Sequence, residues 1–567
     1  MRALLAVILL AIPLAAAAVM PLEQTPAWTS TPSGHVATGG GWADLDGDGY
    51  LDFVAANGND ISRQSVVVYR NDGFGGLPPT PSWSSSDVDY HGHLDLGDVN
   101  GDGFTDVVVG VYLGPAGFGN PGGAKLYYGA PGSGFFSSDP VWEPAGSFYC
   151  FSVALGDVDG DGDLDLACTS GESYDQHPER QRVFLNNGGT FSATPDWQSD
   201  DVGYALDVTW ADIDLDGDLD LIYSGEISPN RVYLNHQTEG GGLSTTADWT
   251  SADGASYGNT CAPGDWDGDG YLDLAVADNN QLGGAGRFKV YANALGTLAG
   301  TPAWTSATGG YGSNVSWVDL DLDGDPDLST GRWWGAVTLY ENGGGGLSAN
   351  PVWTSSTSSV IENLFWGDVD NDGLRSDGLT LATGDGARTI VQLAAAPIRD
   401  VLQVTVDGTP LAPSQYVQHR GGGWVALASP PAPGAAIAVS FRYSQDLDLG
   451  CTNWDSTKGN YVFLNTGTLV AAPEDTPLGF SLTALPNPLR LRTVFRYRGE
   501  GASAAALDVY DLQGRRVRQL HAGALAGGLR SWEWDAKDGG GRRVAAGVYF
   551  ARFVADGRQA SVKLILL

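Results

Sequence analysis

Cysteine, basic residues and long apolar runs are all scarce in this 567-residue chain. Its four cysteines, Cys150, Cys168, Cys261 and Cys451, are too few for a disulfide-built scaffold, even in an oxidising compartment. Cys150 and Cys168 fall about four residues out of register across a regular hairpin, too far for a bridge, so no disulfide is expected. Past the N-terminus no stretch is long and apolar enough to cross a bilayer, so the mature chain is expected to have no membrane span. Charged residues are only 17% and aromatics are 10%, which argues against a disordered acidic protein despite a net charge of −37. Lys and Arg number 30 against 67 Asp and Glu, so no nucleic acid partner is expected. The seven histidines are scattered, and there is no HExxH, no Cys/His pair and no nucleophile elbow. An enzyme is therefore not the expected reading.

The chain opens "MRALLAVILLAIPLAAAAVMPLEQ", which reads as a secretory signal over residues 1–18 with cleavage near Ala18. The 81 glycines point to many turns and an all-β protein. One phrase then recurs: "WADLDGDGYLD" with its acidic run from Asp44, and relatives of it from Asp98, Asp157, Asp212, Asp265, Asp319 and Asp368. A period near fifty residues marks repeated supersecondary units. Two further markers keep step with it. Trp28, Trp83, Trp142, Trp197, Trp249, Trp304 and Trp353 each precede an acidic run by 15 or 16 residues, and segments such as "SVVVYRN", "QRVFLNN" and "NYVFLN" supply a further strand. Four short strands per repeat and seven repeats predict a seven-bladed β-propeller over 25–470. The seventh repeat ends without a Trp strand, and residues 25–30 are expected to supply it and close the ring.

Numbered D-x-D-x-D-G-x-x-D, each acidic run offers carboxylates at positions 1, 3, 5 and 9, a donor set suited to Ca²⁺ with its six to eight oxygens. The predicted ligands are Asp44, Asp46, Asp48 and Asp52; Asp98, Asn100, Asp102 and Asp106; Asp157, Asp159, Asp161 and Asp165; and Asp212, Asp214, Asp216 and Asp220. The last three loops add Asp265, Asp267, Asp269 and Asp273; Asp319, Asp321, Asp323 and Asp327; and Asp368, Asp370, Asp372 and Asp377. An EF-hand would need Glu at position 12, where the first six runs have Ala55, Val109, Cys168, Tyr223, Val276 and Thr330. The flanks are β-rich, so each run is an ion-filled turn between strands. The seven runs hold 30 of the 67 acidic residues; the other 37 nearly balance the 30 Lys and Arg. Most of the net negative charge thus belongs to up to seven structural calcium sites.

These loops resemble the FG-GAP/VCBS repeat family, which includes the head of integrin α-chains and many secreted bacterial proteins. The resemblance implies calcium between the first two strands of each blade. Two departures stand out: Asn100 replaces Asp, and one residue too many precedes Asp377.

Counting back from each run, position −2 is mostly large (Trp42, Leu155, Trp210, Trp317, Trp366) and position −1 small (Ala43, Gly156, Ala211, Gly367), as face-to-face blade packing requires. Position −5 (Gly39, His93, Ser152, Asp207, Thr260, Asn314, Asn363) reads as polar strand ends near solvent. The alternative is a channel lining in which His91 and His93 hold a transition metal. Binding is expected opposite the acidic loops, where the connections from second to third strand vary. Trp333, Trp334 and Trp424 are candidates for an exposed ligand-binding patch, the last within an inserted β-module of blade seven at about 388–456.

After a linker at 471–483 the character changes. From Gly479 there are 14 Lys and Arg against 7 acidic residues, and alternating strands over 484–567 predict an immunoglobulin-like β-sandwich. "PNP", "VYDLQGRRVR", "WDAKDGGGRRVAAGVYF" and "KLILL" resemble the FlgD-type Ig-like domain and the sorting domains of type IX secretion. That resemblance implies export to, or attachment at, a bacterial surface through secretion or attachment machinery. The expected function is a secreted or surface-displayed adhesion or ligand-binding module for a glycan or protein. The alternative is an extracellular polysaccharide lyase or hydrolase on the same scaffold.

Overall fold

The computed structural model describes residues 20–466 and 481–566, less short stretches at 32–33, 131–134, 253–255, 282–284, 344–345, 486–492, 500–501, 526–527, 535, 546 and 557. The signal at 1–18 and most of the linker at 471–483 lie outside the described residues. Two compact units emerge, one running to Leu469 and one from Val470, with which Asp44–Tyr50 is grouped.

The larger unit repeats one plan. An inner strand runs into the acidic loop, a second strand leaves it antiparallel, a third follows, and a two-residue outer strand begins with the marker Trp. Blade one is Ala37–Ala43, Asp52–Asn57, Val67–Tyr69 and Trp83–Ser84. In blade two the outer place is a single bridge from Leu126 to Trp142. The inner strands of the next five blades are Val153–Gly156, Ala205–Ala211, Ser256–Gly264, Tyr311–Val318 and Ile361–Gly367. The last of these sheets takes its outer strand from the start of the chain: Trp28 pairs with Val462 and Thr29 with Tyr461. The ends are zipped together as the missing seventh Trp strand predicts, which removes two sheet edges.

Blades pack through the large and small positions before each loop. A Cβ on Gly156 would sit 2.6 Å from Trp210 Cδ1 of the next blade, and one on Gly367 would sit 2.7 Å from Trp42. The marker tryptophans do the same job at the rim. Trp197 lies 5.3 Å from Tyr233, Trp249 5.5 Å from Tyr291, Trp304 5.2 Å from Tyr340 and Trp28 5.2 Å from Tyr69, each an edge-on contact with the third strand of the following blade.

Position −5 departs from the expectation of solvated strand ends. His93, Ser152, Asp207, Thr260 and Asn314 are buried. Several bond between blades: Ser152 Oγ donates to Asp207 Oδ1 (2.7 Å), Cys261 N to Asp207 Oδ2 (3.0 Å) and Val315 N to Thr260 Oγ1 (3.0 Å). Closing the ring brings each inner strand against its neighbour, so these side chains serve as joints. His91 Nδ1 is 3.1 Å from Asn57 O and His93 Nδ1 is 3.5 Å from Asp207, so the two rings face different partners. All four cysteines are buried free thiols. Val153 pairs with Cys168, and the Cys150 thiol, which donates to Ser152 O (3.5 Å), lies beside that of Cys168 although the two residues are out of register.

The inserted module runs from Leu374–Thr383 to Ala436–Ser444, and it interrupts the seventh acidic loop rather than a later connection. A four-stranded and a three-stranded sheet enclose its core of Val404, Val425, Val439 and Phe441. The second unit has two sheets, one of three strands ending in Gly528–Trp534 and one of four including Ala502–Asp511 and Gly547–Ala555. Phe495, Leu507, Trp534 and Phe553 fill the space between them, giving the expected sandwich.

Candidate metal centres in the acidic loops

Every acidic loop is wound by the same hydrogen bond. The position-6 glycine N–H donates to Oδ2 of the position-1 aspartate, at 3.0 Å for Gly49–Asp44, 2.8 Å for Gly103–Asp98, 3.0 Å for Gly162–Asp157 and 3.1 Å for Gly373–Asp368. The equivalent glycines of the first six loops have φ between 89° and 97°, a conformation open to glycine and costly for other residues. The turn brings the carboxylates together. Ligand oxygens of Asp44, Asp46 and Asp48, of Asp157, Asp159 and Asp165, and of Asp212, Asp214 and Asp216 all lie within 4.8 Å of one another in their groups. That spacing suits a shared cation at about 2.3–2.6 Å from each oxygen.

Electrostatics supports the fit. Burial, then the charges of Asp161 and Asp159, pushes the Asp157 carboxyl up to about 8. Burial followed by Asp216 and Asp214 takes Asp212 to about 7. Asp212 Oδ1 and Asp319 Oδ1, the same atom in two loops, are buried without a hydrogen-bond partner. A crowd of desolvated carboxylates with an orphaned acceptor at its centre is chemically suited to a hard divalent cation.

Position 9 has a second task that spacing does not reveal. Its carboxylate is fully buried and clamps two backbone amides. Asp165 Oδ2 accepts from Val158 N (2.9 Å) and its Oδ1 from Asn186 N (2.8 Å), and Asp220 does the same with Ile213 and Asn235 (both 2.8 Å). In the seventh loop this clamp is Asp448, which accepts from Val369 N (2.8 Å) and Asn465 N (2.9 Å). Asp377, the residue expected there, stands exposed in the module strand Leu374–Thr383. Asp446 completes the loop beside it: burial and then Asp372 push its carboxyl up to about 8. The module leaves the loop after Gly373 and returns at Ser444, whose Oγ donates to Asp368 Oδ2 (2.7 Å). Asp448→Ala is therefore expected to lower unfolding free energy by about 2–4 kcal/mol, and Asp377→Ala to stay within about 0.5 kcal/mol, in urea titrations.

Sequence reasoning also missed the asparagine that ends the third strand. Asn186 Nδ2 donates to Leu164 O of its own loop (3.1 Å) and to Val99 O of the preceding one (2.8 Å). Asn235, Asn293 and Asn342 repeat the pattern, reaching back to Val158, Ile213 and Trp266. The recurring "N" in "FLNN", "YLN", "YAN" and "YEN" was the available signal.

The three candidate tryptophans do not form one patch. Trp334 is 60% exposed, whereas Trp333 is 9% exposed and Trp424 is 3% exposed. Trp424 packs in one core with Val158 and Leu164 near the loops, because the module docks there. Arg420 Nη1 of the module donates to Thr105 Oγ1 (3.1 Å) and His419 Nε2 lies 3.3 Å from Asp95. Trp333 turns inward at the opposite face and donates to Glu362.

The FG-GAP-like repeat family matches residues 44–109, 216–276 and 265–330, and the FG-GAP repeat family matches 151–186. The FlgD Ig-like domain family matches 495–558. No curated protein matches in sequence. Similar solved chains include one in the crystal structure of BBS1N in complex with ARL6DN, soaked with mercury, at 9% identity and TM-score 0.37, covering 79% of this chain and 95% of that one. The matched repeats fall on the acidic loops and their flanking strands, and the chain is thus an FG-GAP repeat propeller protein with a C-terminal FlgD Ig-like domain.

Proposed function

We propose that this is a secreted or cell-surface binding protein whose acidic loops hold structural calcium, up to one ion per blade, and whose opposite face captures a glycan or protein ligand. Support for calcium comes from the carboxylate spacing and the orphaned loop oxygens already described. The C-terminal domain, by its family, would serve export or surface attachment. No helix among the described residues is long and apolar enough to cross a membrane.

The single observation that carries the binding face is Trp334. It is held at φ 53°, a conformation that costs a bulky side chain about 1 kcal/mol or more, and it points into solvent against Tyr311 at 5.1 Å. Backbone strain that exposes an indole has no benefit for packing and fits a ligand contact. Other second-to-third connections on this face expose Ile61, Phe118 and Tyr174, and the end of the second strand Asp220–Ser228 exposes Ile227. On a glycan and protein array probed with the calcium-loaded full chain, Trp334→Ala is expected to weaken capture about tenfold, the scale of one stacked aromatic contact. Capture that ignores this substitution rules out the face as drawn.

A further inference from the structure

The mouth of the central channel, on the face away from the acidic loops, gathers carboxylates from four blades. Asp60, Glu172 and Glu226 lie at or just beyond the ends of second strands, and Glu362 lies at the start of the last inner strand. Their convergence is visible at one phenol: Tyr174 is pushed up by burial and then by Glu226, Asp60, Glu362 and Glu172 together. Glu172 is committed, accepting from Asp175 N (2.8 Å) and Tyr174 N. Glu226 and Glu362 are each met by a neutral donor, the Ser173 hydroxyl and the Trp333 indole N–H. Burial, with the charge of Glu172 for Glu226 and of Asp60 for Glu362, holds both near 7, and neither is stabilised by Lys or Arg among the described residues.

Independent features point to a guest. A cavity of about 10 Å³, room for one water-sized group, is lined by Glu226, Tyr257, Asn259, Asn279, Gln281 and Trp333. Trp333 joins it to Glu362 through its indole N–H. The buried His93 Nε2, on a ring close enough to act on Glu362, lacks a hydrogen-bond partner. Two exposed aromatic pairs flank the mouth, Phe118 with Tyr174 at 5.9 Å and Tyr311 with Trp334, whose ring in turn meets Trp333 at 6.2 Å.

We propose that this mouth binds the protonated amine of an amino sugar in a cationic glycan, with Glu226 receiving the ammonium, Glu362 adding its charge from behind Trp333, and the aromatic pairs stacking on the pyranose rings. A metal ion fits less well, because only one carboxylate lines the cavity and an indole forms part of its wall, whereas a hard cation needs six or more oxygens. An organic ammonium is compatible with an aromatic wall. The inference rests on the binding-face reading above and names its ligand class.

The test is calorimetry on the calcium-loaded full chain in about 0.15 M salt, which screens loose attraction to the acidic surface. The probes are a glucosamine oligomer, its N-acetylated counterpart and a lysine oligomer of equal charge. The glucosamine oligomer is expected to bind, the acetylated form about tenfold or more weaker, and the lysine oligomer weaker than glucosamine. Glu226→Gln with Glu362→Gln is expected to remove the preference for the free amine while leaving thermal unfolding intact. Equal binding of the acetylated form, or a preference for glucosamine that survives the double substitution, overturns the proposal. Lysine binding at least as tight as glucosamine assigns the well to a basic peptide and overturns the glycan. If Trp334→Ala weakens capture on the array but the double substitution has no effect, the binding face stands and only the ammonium well falls.

Discussion

Withdrawing calcium from the full chain at about pH 8 is expected to lower its melting temperature by on the order of 10–20 °C. Each occupied site adds about 2.7 kcal/mol at a hundredfold excess of ion over Kd, and the acidic loops act on one cooperative wheel. The sign of the pH dependence gives a sharper check. Without cation, burial is the leading cause that raises Asp106, Asp212, Asp273 and Asp368 to about 7 and Asp157 and Asp327 to about 8 in the folded chain, from 3.8. A folded-state pKa above the unfolded one means that the native state binds more protons. That stabilisation is complete below about pH 4 and is lost as pH rises through 7 to 8. The ion-free protein is therefore expected to melt at a higher temperature at about pH 5 than at about pH 8. Calcium is expected to reverse the slope, because it would take the ionised carboxylates and protons would compete with it. Thermal scans in ion-free and calcium-replete buffer across this window must show opposite slopes; parallel curves would mean that the loops hold no cation.

Asn186→Ala and Asn187→Ala, neighbouring changes in "FLNNGG", are expected to differ by about 3 kcal/mol or more in urea unfolding. Asn186 is buried. Its amide bonds Val99 O, Leu164 O and, through Oδ1, Gly189 N (2.8 Å), so alanine strands three backbone groups in a dry joint between two loops. Asn187 is exposed and reaches Leu185 O (3.2 Å) and Ser192 Oγ (2.9 Å) where water can replace it. Because Asn186 ties the third loop to the second, its loss is also expected to weaken calcium uptake at both, visible as fewer tight sites in a calcium titration. In blade two Gly129 takes the equivalent place, its N–H bonding Asp106 Oδ1 (2.7 Å) without an amide side chain to reach the neighbouring loop. A similar cost for both substitutions would show that the joint carries no stability.

Local patterns were legible because local chemistry dictates them. The nine-residue spacing D-x-D-x-D-G-x-x-D turns through a glycine at positive φ, and that repeats in each of the first six loops. The marker Trp, the large and small residues before each loop and the absent seventh outer strand were equally readable, since each is a packing rule applied once per blade. Position 9 was legible as an acid but not as a clamp, because its two amide partners come from the loop's start and from a strand about twenty residues away.

What the sequence by itself determined is the repeat, its turn chemistry, the all-β architecture with a C-terminal sandwich, and the strand that closes the wheel. Only the tertiary structure decided that Asp448 rather than Asp377 finishes the seventh loop, since the module's strands had to fold and return the chain before the two halves of that loop could meet. It likewise buried Trp333 and Trp424 while leaving Trp334 in solvent, and it brought Asp60, Glu172, Glu226 and Glu362 to one mouth. Those residues occupy single places that share no motif, and what unites them is ring closure, a constraint that acts through space between blades.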